Sequence, residues 1–506
     1  MHALPADTLP KLATLDEGIH FGHGTFEGEL SFVYTGAAGA YPHMGRDLAL
    51  ALPDLVDSFA SRAASVREAA GWVYTDDPTF ESTPMDKLWG ASYLAQLHTE
   101  LTRKALGLRP TAAIGYCSGE TNSLFALDAW DDLDGFRRDV SESRVYDREL
   151  CGELLCLRSA WSLDEGTPAE WSTWRIRAKS TDVEAALENE PRVHLVIVNA
   201  LHDVVIAGDP AGCARVGAAF GRKAQRTPGY DFIMHCQEAR EFESRWRALH
   251  TRPTKDVPGV RFYTHSTLSS YAPTTQTAAD ALTGQAMNRV NFPALVERAY
   301  ADGIRIFIEH GPHAGCTKWI SDTLGDREHL AIALDRYGHS SLFQGIECAA
   351  KLFAAGVPVK LDMLQKALQR GTKTVDPAPS ASPAKRALVL TLPAHPEPVP
   401  PATSTPRQGK RTTMSPRINL LAPHAHTTQG TLGDYMAPAP KLAPVMWIPP
   451  AHVPEHGTTN GAYAALAPAP ASDHTPPAPH AAANASDFSA IEPAPFAVSD
   501  LSLIHI

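Results

Sequence analysis

Apolar positions along this chain fall into two kinds of run. Short, nearly continuous runs such as LSFVYTG (30–36), TAAIGY (111–116), VHLVIVNA (193–200) and IRIFIEHGP (304–312) have the length of strands buried on both faces. Longer segments carry apolar residues at helical spacing. In MGRDLALALPDLVDSFAS (44–61), Leu48, Leu52, Leu55 and Phe59 share one side, and WGASYLAQLHTELTRKALGL (89–108) repeats the pattern over a longer helix. Strand and helix alternate from residue 30 to GETNSLFALDAW (119–130), and again from VRFYTHST (260–267) through ALVERAYADG and HLAIALD to a helix in SLFQGIECAAKLFAAG (341–356). This alternation predicts a large α/β domain built on a parallel sheet with both faces covered.

Between these halves the order changes. STWRIRA reads as a strand, TDVEAALEN as a helix, VHLVIVNA and DVVIAGD as two adjacent strands, PAGCARVGAAFGRK as a helix with proline at its start, and YDFIMH as a strand. That is a β-α-β-β-α-β succession, the ferredoxin-like pattern, and it predicts a small subdomain inserted near 171–234 with a cleft beside it. Proline sets the other boundary, because 24 of the 41 prolines follow residue 370. A Pro/Ala-rich segment cannot bury enough apolar surface to offset its ordering entropy. The expected organisation is an N-terminal linker over 1–29, the folded domain over 30–370 and a disordered linker over 371–506. A linker of that length suits a multidomain synthase, and the chain reads as a fragment of one.

The net charge of −11 supplies no electrostatic footprint for nucleic acid or an anionic membrane surface. Seven scattered cysteines without a CxxC pair are expected to be reduced thiols, which points to the cytoplasm. No signal peptide is expected at the N-terminus, and no apolar run has the length of a membrane span.

The chemistry concentrates in AAIGYCSGETNSLFA (112–126), a strand, a glycine-flanked turn and a helix. Such an elbow projects a nucleophile clear of the sheet. Gly115 and Gly119 allow the neighbouring elements to pack closely, and the helix N-terminus offers free N–H groups to an oxyanion. Cys117 stands at the centre with Ser118 one place later. The plain alternative is a buried cysteine in an ordinary βα turn.

Further stretches carry a resemblance. FVYTGAAGAYPHMGRDL looks like the F-x-x-x-G-Q-G-x-Q-x-x-x-M-G opening of the acyltransferase domains of fatty-acid and polyketide synthases, and GYCSGE resembles their G-H-S-x-G-E elbow. VNALHDVVIAGD, IMHC, TGQAMNRVNFPALVERAYADG and FIEHGPHAGC correspond to later family motifs, in order, from about Leu30 to Leu361. TGAAGAYP, SGETNSLFALDAW and RFYTHST look closest to polyunsaturated fatty acid synthase acyltransferases. The resemblance implies Cys117 as nucleophile, His235 as general base, and the backbone N–H groups of Ala37 and Ser118 as oxyanion hole. It also implies an arginine that clamps the carboxylate of a malonyl group. Arg144 and Arg148 both qualify, and Arg148 is preferred by its place before a helix; the competing reading is a surface arginine paired with Asp147 or Glu149. Tyr116 takes the place of the elbow histidine and is expected to line the substrate path. His313 is expected to help shape the pocket. A thiol at a helix N-terminus beside an imidazole is expected to have a lowered pKa.

These features point to an acyltransferase that moves an acyl group from coenzyme A through an acyl-enzyme to the phosphopantetheine thiol of an acyl carrier protein. No bound cofactor or metal is implied. Its partners would be the carrier protein and other synthase domains, a ketosynthase among them. Two alternatives are an inactive acyltransferase-like docking module and a thioesterase or hydrolase. Hydrolases usually place an acid between nucleophile and histidine, and they lack the inserted unit.

Overall fold

The computed structural model describes residues 12–373, apart from 17, 23–24, 61–62, 78 and 228–230, together with 503–505. Its strands in chain order are β1 (Leu12–Asp16), β2 (Ile19–Gly22), β3 (Glu29–Tyr34), β4 (Ala112–Gly115), β5 (Ser172–Ile176), β6 (Val193–Ala200), β7 (Asp203–Gly208), β8 (Ala224–Arg226), β9 (Arg261–Thr264), β10 (Ser269–Tyr271), β11 (Val290–Asn291), β12 (Ile304–His310), β13 (Leu330–Ala333) and β14 (Leu503–His505).

The main sheet runs β10-β9-β4-β3-β12-β13. All its neighbours are parallel except β10, which turns back antiparallel on β9. The central strands are the apolar runs of the sequence, and every residue of β4 is buried. The helix Pro84–Glu100 covers one face. A capping box between Thr83 and Asp86 starts it, and from Leu88 onward all of its residues are buried. Being enclosed on every side, it is less one-sided than the amphipathic pattern suggested. The predicted helix at 44–61 is broken by Pro53 into Arg46–Ala51 and Pro53–Ala60, as proline's missing N–H requires.

The inserted unit forms a second sheet in the order β11-β6-β7-β5-β8, so its own four strands lie in ferredoxin-like order. The helices Ser180–Leu187 and Pro210–Phe220 connect them, the second capped by Asp209 with proline at its start. The unit therefore exists as expected, but its last strand does not lie in YDFIMH. β8 falls earlier, at Ala224–Arg226, where it pairs antiparallel with β5. Residues 231–234 form no strand; they cross to the large domain, where the Ile233 N–H donates to Leu150 O at 2.9 Å.

Two boundary expectations need correction. Within the stretch read as N-terminal linker, β1 and β2 form an antiparallel hairpin, and β14 pairs with β2. These strands are too short for a period to stand out, although the alternation in β2 sinks His20 completely. A further helix, Leu361–Lys373, follows the one expected to close the domain. The expectation of disorder for the rest of the tail falls outside the described residues. No helix among the described residues is long and apolar enough to cross a membrane.

Candidate active site

The turn between β4 and the helix Gly119–Ala126 holds Cys117 at φ +53°, a left-handed conformation that non-glycine residues seldom adopt. Two glycines make the turn possible. A Cβ on Gly115 would lie 2.2 Å from Glu120 N, and one on Gly119 would lie 1.9 Å from Tyr34 O. The loop after β3 presses on the same turn, since a Cβ on Gly36 would lie 3.2 Å from that of Cys117. Backbone strain of this kind persists only where the surroundings enforce it.

His235 arrives on the segment leaving the inserted unit, also at positive φ (+63°). Its Nε2 lies 3.3 Å from Cys117 Sγ, and its Nδ1 lies 2.8 Å from the carbonyl oxygen of Gln285. A carbonyl only accepts, so Nδ1 carries the proton and Nε2 presents its lone pair to the thiol. The His235 backbone N–H donates to Ala286 O at 2.7 Å. Both carbonyls belong to the last turn of the helix Thr275–Met287, where backbone oxygens lack helical partners and the dipole is negative. This helix end fixes the His235 ring through a backbone carbonyl, and TGQAMN in the sequence carried no signal of it.

Burial holds His235 down at about 4. It also pushes the Cys117 thiol up to about 11, against the Ser118 N–H, which favours the thiolate. This corrects the expectation of a lowered thiol pKa. The helix N-terminus and imidazole are both present, yet desolvation outweighs them. The resting pair is a neutral thiol and a neutral imidazole.

The two expected oxyanion-hole residues stand together at the elbow. The Ala37 N–H donates to Ser118 Oγ at 3.1 Å, so Ala37 lies over the turn and the Ser118 hydroxyl occupies its donor in the resting site. Glu309 fixes that loop. Its carboxylate accepts from Thr35 Oγ1 (3.0 Å) and from the N–H groups of Cys316 (3.0 Å) and Thr317 (2.6 Å), tying β3 to the start of the helix Gly315–Leu324.

Three expected roles do not fit the geometry. Arg148 is 50% exposed and reaches only Glu153, Nε to Oε2 at 3.4 Å, while Arg144 pairs with Asp147 at the surface. Arg144 precedes, and Arg148 lies within, a wide helical turn, Val145–Leu150, closed by Cys151 N–H donating to Tyr146 O at 2.9 Å. That winding turns Tyr146, not Arg148, toward the cavity at Cys117. Tyr116 points through the sheet to the inserted unit. Its hydroxyl donates to Asn199 Oδ1 at 2.7 Å, and its ring packs on Phe292 and Trp319. It is a buried strut between subdomains. His313 is exposed and stacks on Tyr337, outside the cavity lining.

Two spaces adjoin the pair. Cys117 and Ser118 line a cavity of ≈ 40 Å³ together with Phe125, Tyr146, Phe232 and Trp246. His235 borders an open cleft between β6 and the end of the helix Thr275–Met287, with Arg240 and Arg289 at its walls.

A parallel sheet interrupted by a ferredoxin-like unit, with an elbow cysteine facing a histidine at that unit's exit, matches the acyltransferase fold of the solved structures to which the chain is similar. No family model matches the chain. In sequence it is similar to one component of the polyunsaturated fatty acid synthase of Thraustochytrium sp., 27% identical over 278 residues that span 51% of this chain and 14% of that protein. In structure it is similar to the acyltransferase domain from the second module of the salinomycin polyketide synthase (TM-score 0.55, 19% identity, covering 71% of this chain and 80% of the other). It is also similar to the malonyl CoA-acyl carrier protein transacylase of Coxiella burnetii (TM-score 0.52, 17% identity, covering 65% and 99%).

Proposed function

We propose that this domain transfers an acyl group from one thioester to another through a covalent acyl-cysteine. The observation that carries the reading is the 3.3 Å approach of His235 Nε2 to Cys117 Sγ at a strained elbow. His235 Nε2 accepts the thiol proton as Sγ attacks the acyl carbonyl carbon. The backbone N–H groups of Ser118 and Ala37 bind the oxyanion, the latter after the Ser118 hydroxyl rotates away. The carbon–sulfur bond of the donor then breaks, and its sulfur leaves as a thiol with the proton from His235. In the second half an acceptor thiol repeats these steps in reverse.

The expected donor is an acyl-coenzyme A and the expected acceptor the phosphopantetheine thiol of an acyl carrier protein. The open cleft beside His235 offers a route for the common pantetheine arm, and the similarity to a transacylase named for both partners supports the pair. Incubation with acetyl-coenzyme A followed by peptide mass mapping should place one acetyl group on Cys117 and none on the Cys117→Ala variant. Acylation at Ser118 would refute the assignment of the nucleophile. No adduct with any acyl-coenzyme A would favour a docking module without chemistry.

A further inference from the structure

The cavity beside Cys117 is where an acyl chain attached to that sulfur would lie, and its lining is uncharged. Leu88, Phe125, Tyr146, Phe232, Met234 and Trp246 form most of its wall, and no arginine, lysine or histidine among the described residues joins them. The expected candidates for a carboxylate clamp, Arg144 and Arg148, are turned to solvent and paired with Asp147 and Glu153. A carboxylate brought here would lose its hydration without gaining a cation, which is strongly unfavourable.

Two polar groups in the wall point to a ligand. The amide nitrogens of Asn122 and Gln285 are buried without a hydrogen-bond partner, and both residues line the cavity with only 3% of their surface exposed. The Asn122 oxygen is already engaged by Ser92 Oγ at 2.6 Å. Buried donors of this kind are costly unless an acceptor arrives. They suit a neutral oxygen on the chain, such as a 3-oxo group. At ≈ 40 Å³ the space holds about three water-sized groups, the size of a short chain.

We infer that this pocket selects a short, uncharged acyl group over a dicarboxylic one. The inference rests on the acyl-transfer reading above and names its substrate class. Acetoacetyl- and malonyl-coenzyme A separate charge from size, because a methyl group in the first replaces a carboxylate oxygen in the second. The rate of Cys117 acylation, read by intact mass, should be at least about tenfold higher with acetoacetyl than with malonyl donor, with acetyl and propionyl also accepted. Hexanoyl should be slow with the natural chain and faster with Phe232→Ala, which enlarges the cavity. Arg148→Ala should leave the acetoacetyl-to-malonyl ratio unchanged.

Malonyl acylation equal to or faster than acetoacetyl would overturn the inference while leaving the acyl-cysteine intact. So would a selective loss of malonyl transfer in Arg148→Ala. Absence of an adduct with every donor would remove the acyl-transfer reading itself, and the selectivity with it.

Discussion

The resting protonation state of Cys117 can be tested by titrating its thiol. Burial places Cys117 at about 11 and His235 at about 4, an inverted order for an ion pair. Moving the proton from sulfur to imidazole therefore costs about 7 pK units, or roughly 10 kcal/mol. Attraction between the resulting charges at 3.3 Å returns about 5 kcal/mol at an effective dielectric near 20. The neutral pair wins by about 5 kcal/mol, and the thiolate fraction at pH 7 is about 10⁻⁴. The assay is the ultraviolet absorbance of the thiolate, taken as the difference between the natural chain and Cys117→Ser across pH 5 to 10. No step should occur below about pH 9. A thiolate step with a midpoint below pH 7 would show an ion pair and refute the argument from desolvation.

Three other outcomes follow from the same geometry. His235→Ala should slow acylation by about 10²–10⁴, with the residual rate rising with pH as hydroxide produces the thiolate; a pH-independent residual rate would contradict the general-base role. Tyr116→Phe should cost about 1–3 kcal/mol in thermal or urea unfolding by stranding Asn199, with acylation rates nearly unchanged; loss of activity without loss of stability would return Tyr116 to the substrate path. Acid should unfold the domain between about pH 6.5 and 4. His235 and His250 are held near 4 and His265 and His310 near 3 by burial, so the unfolded chain binds protons that the native state refuses and stability falls as pH falls. Each is worth roughly 3–5 kcal/mol, whereas Glu120, raised to about 8, acts with the opposite sign as pH rises. A melting temperature constant from pH 7 to 4 would contradict this.

Period and order made the large domain and the ferredoxin-like insertion legible, because continuous apolar runs and the β-α-β-β-α-β succession are local signals. The elbow was legible for a similar reason: Gly115 and Gly119 mark close approaches that any added Cβ would block. Short elements were not. β8 has three residues and is partly exposed, while the more apolar 231–234 segment attracted the strand assignment although its Phe232 and Met234 line the cavity. The clamp failed through winding, since the wide turn at Val145–Leu150 exchanges which side chain faces inward, and spacing along the chain carries no trace of it. The thiol pKa failed because motif logic counts dipoles and neighbours but not desolvation. The helix end that orients His235 works through backbone carbonyls, which every residue possesses and no motif marks.

A chase of the isolated acyl-enzyme tests thioester exchange through Cys117 most directly. Protein acylated by acetyl- or acetoacetyl-coenzyme A and freed of the donor should lose its added mass on addition of pantetheine or a phosphopantetheinylated carrier protein. The acyl group should appear on the added thiol. An adduct that persists in the presence of the thiol, or that is released only to water, would contradict acyl transfer and leave a hydrolase or an inert acyl-cysteine in its place.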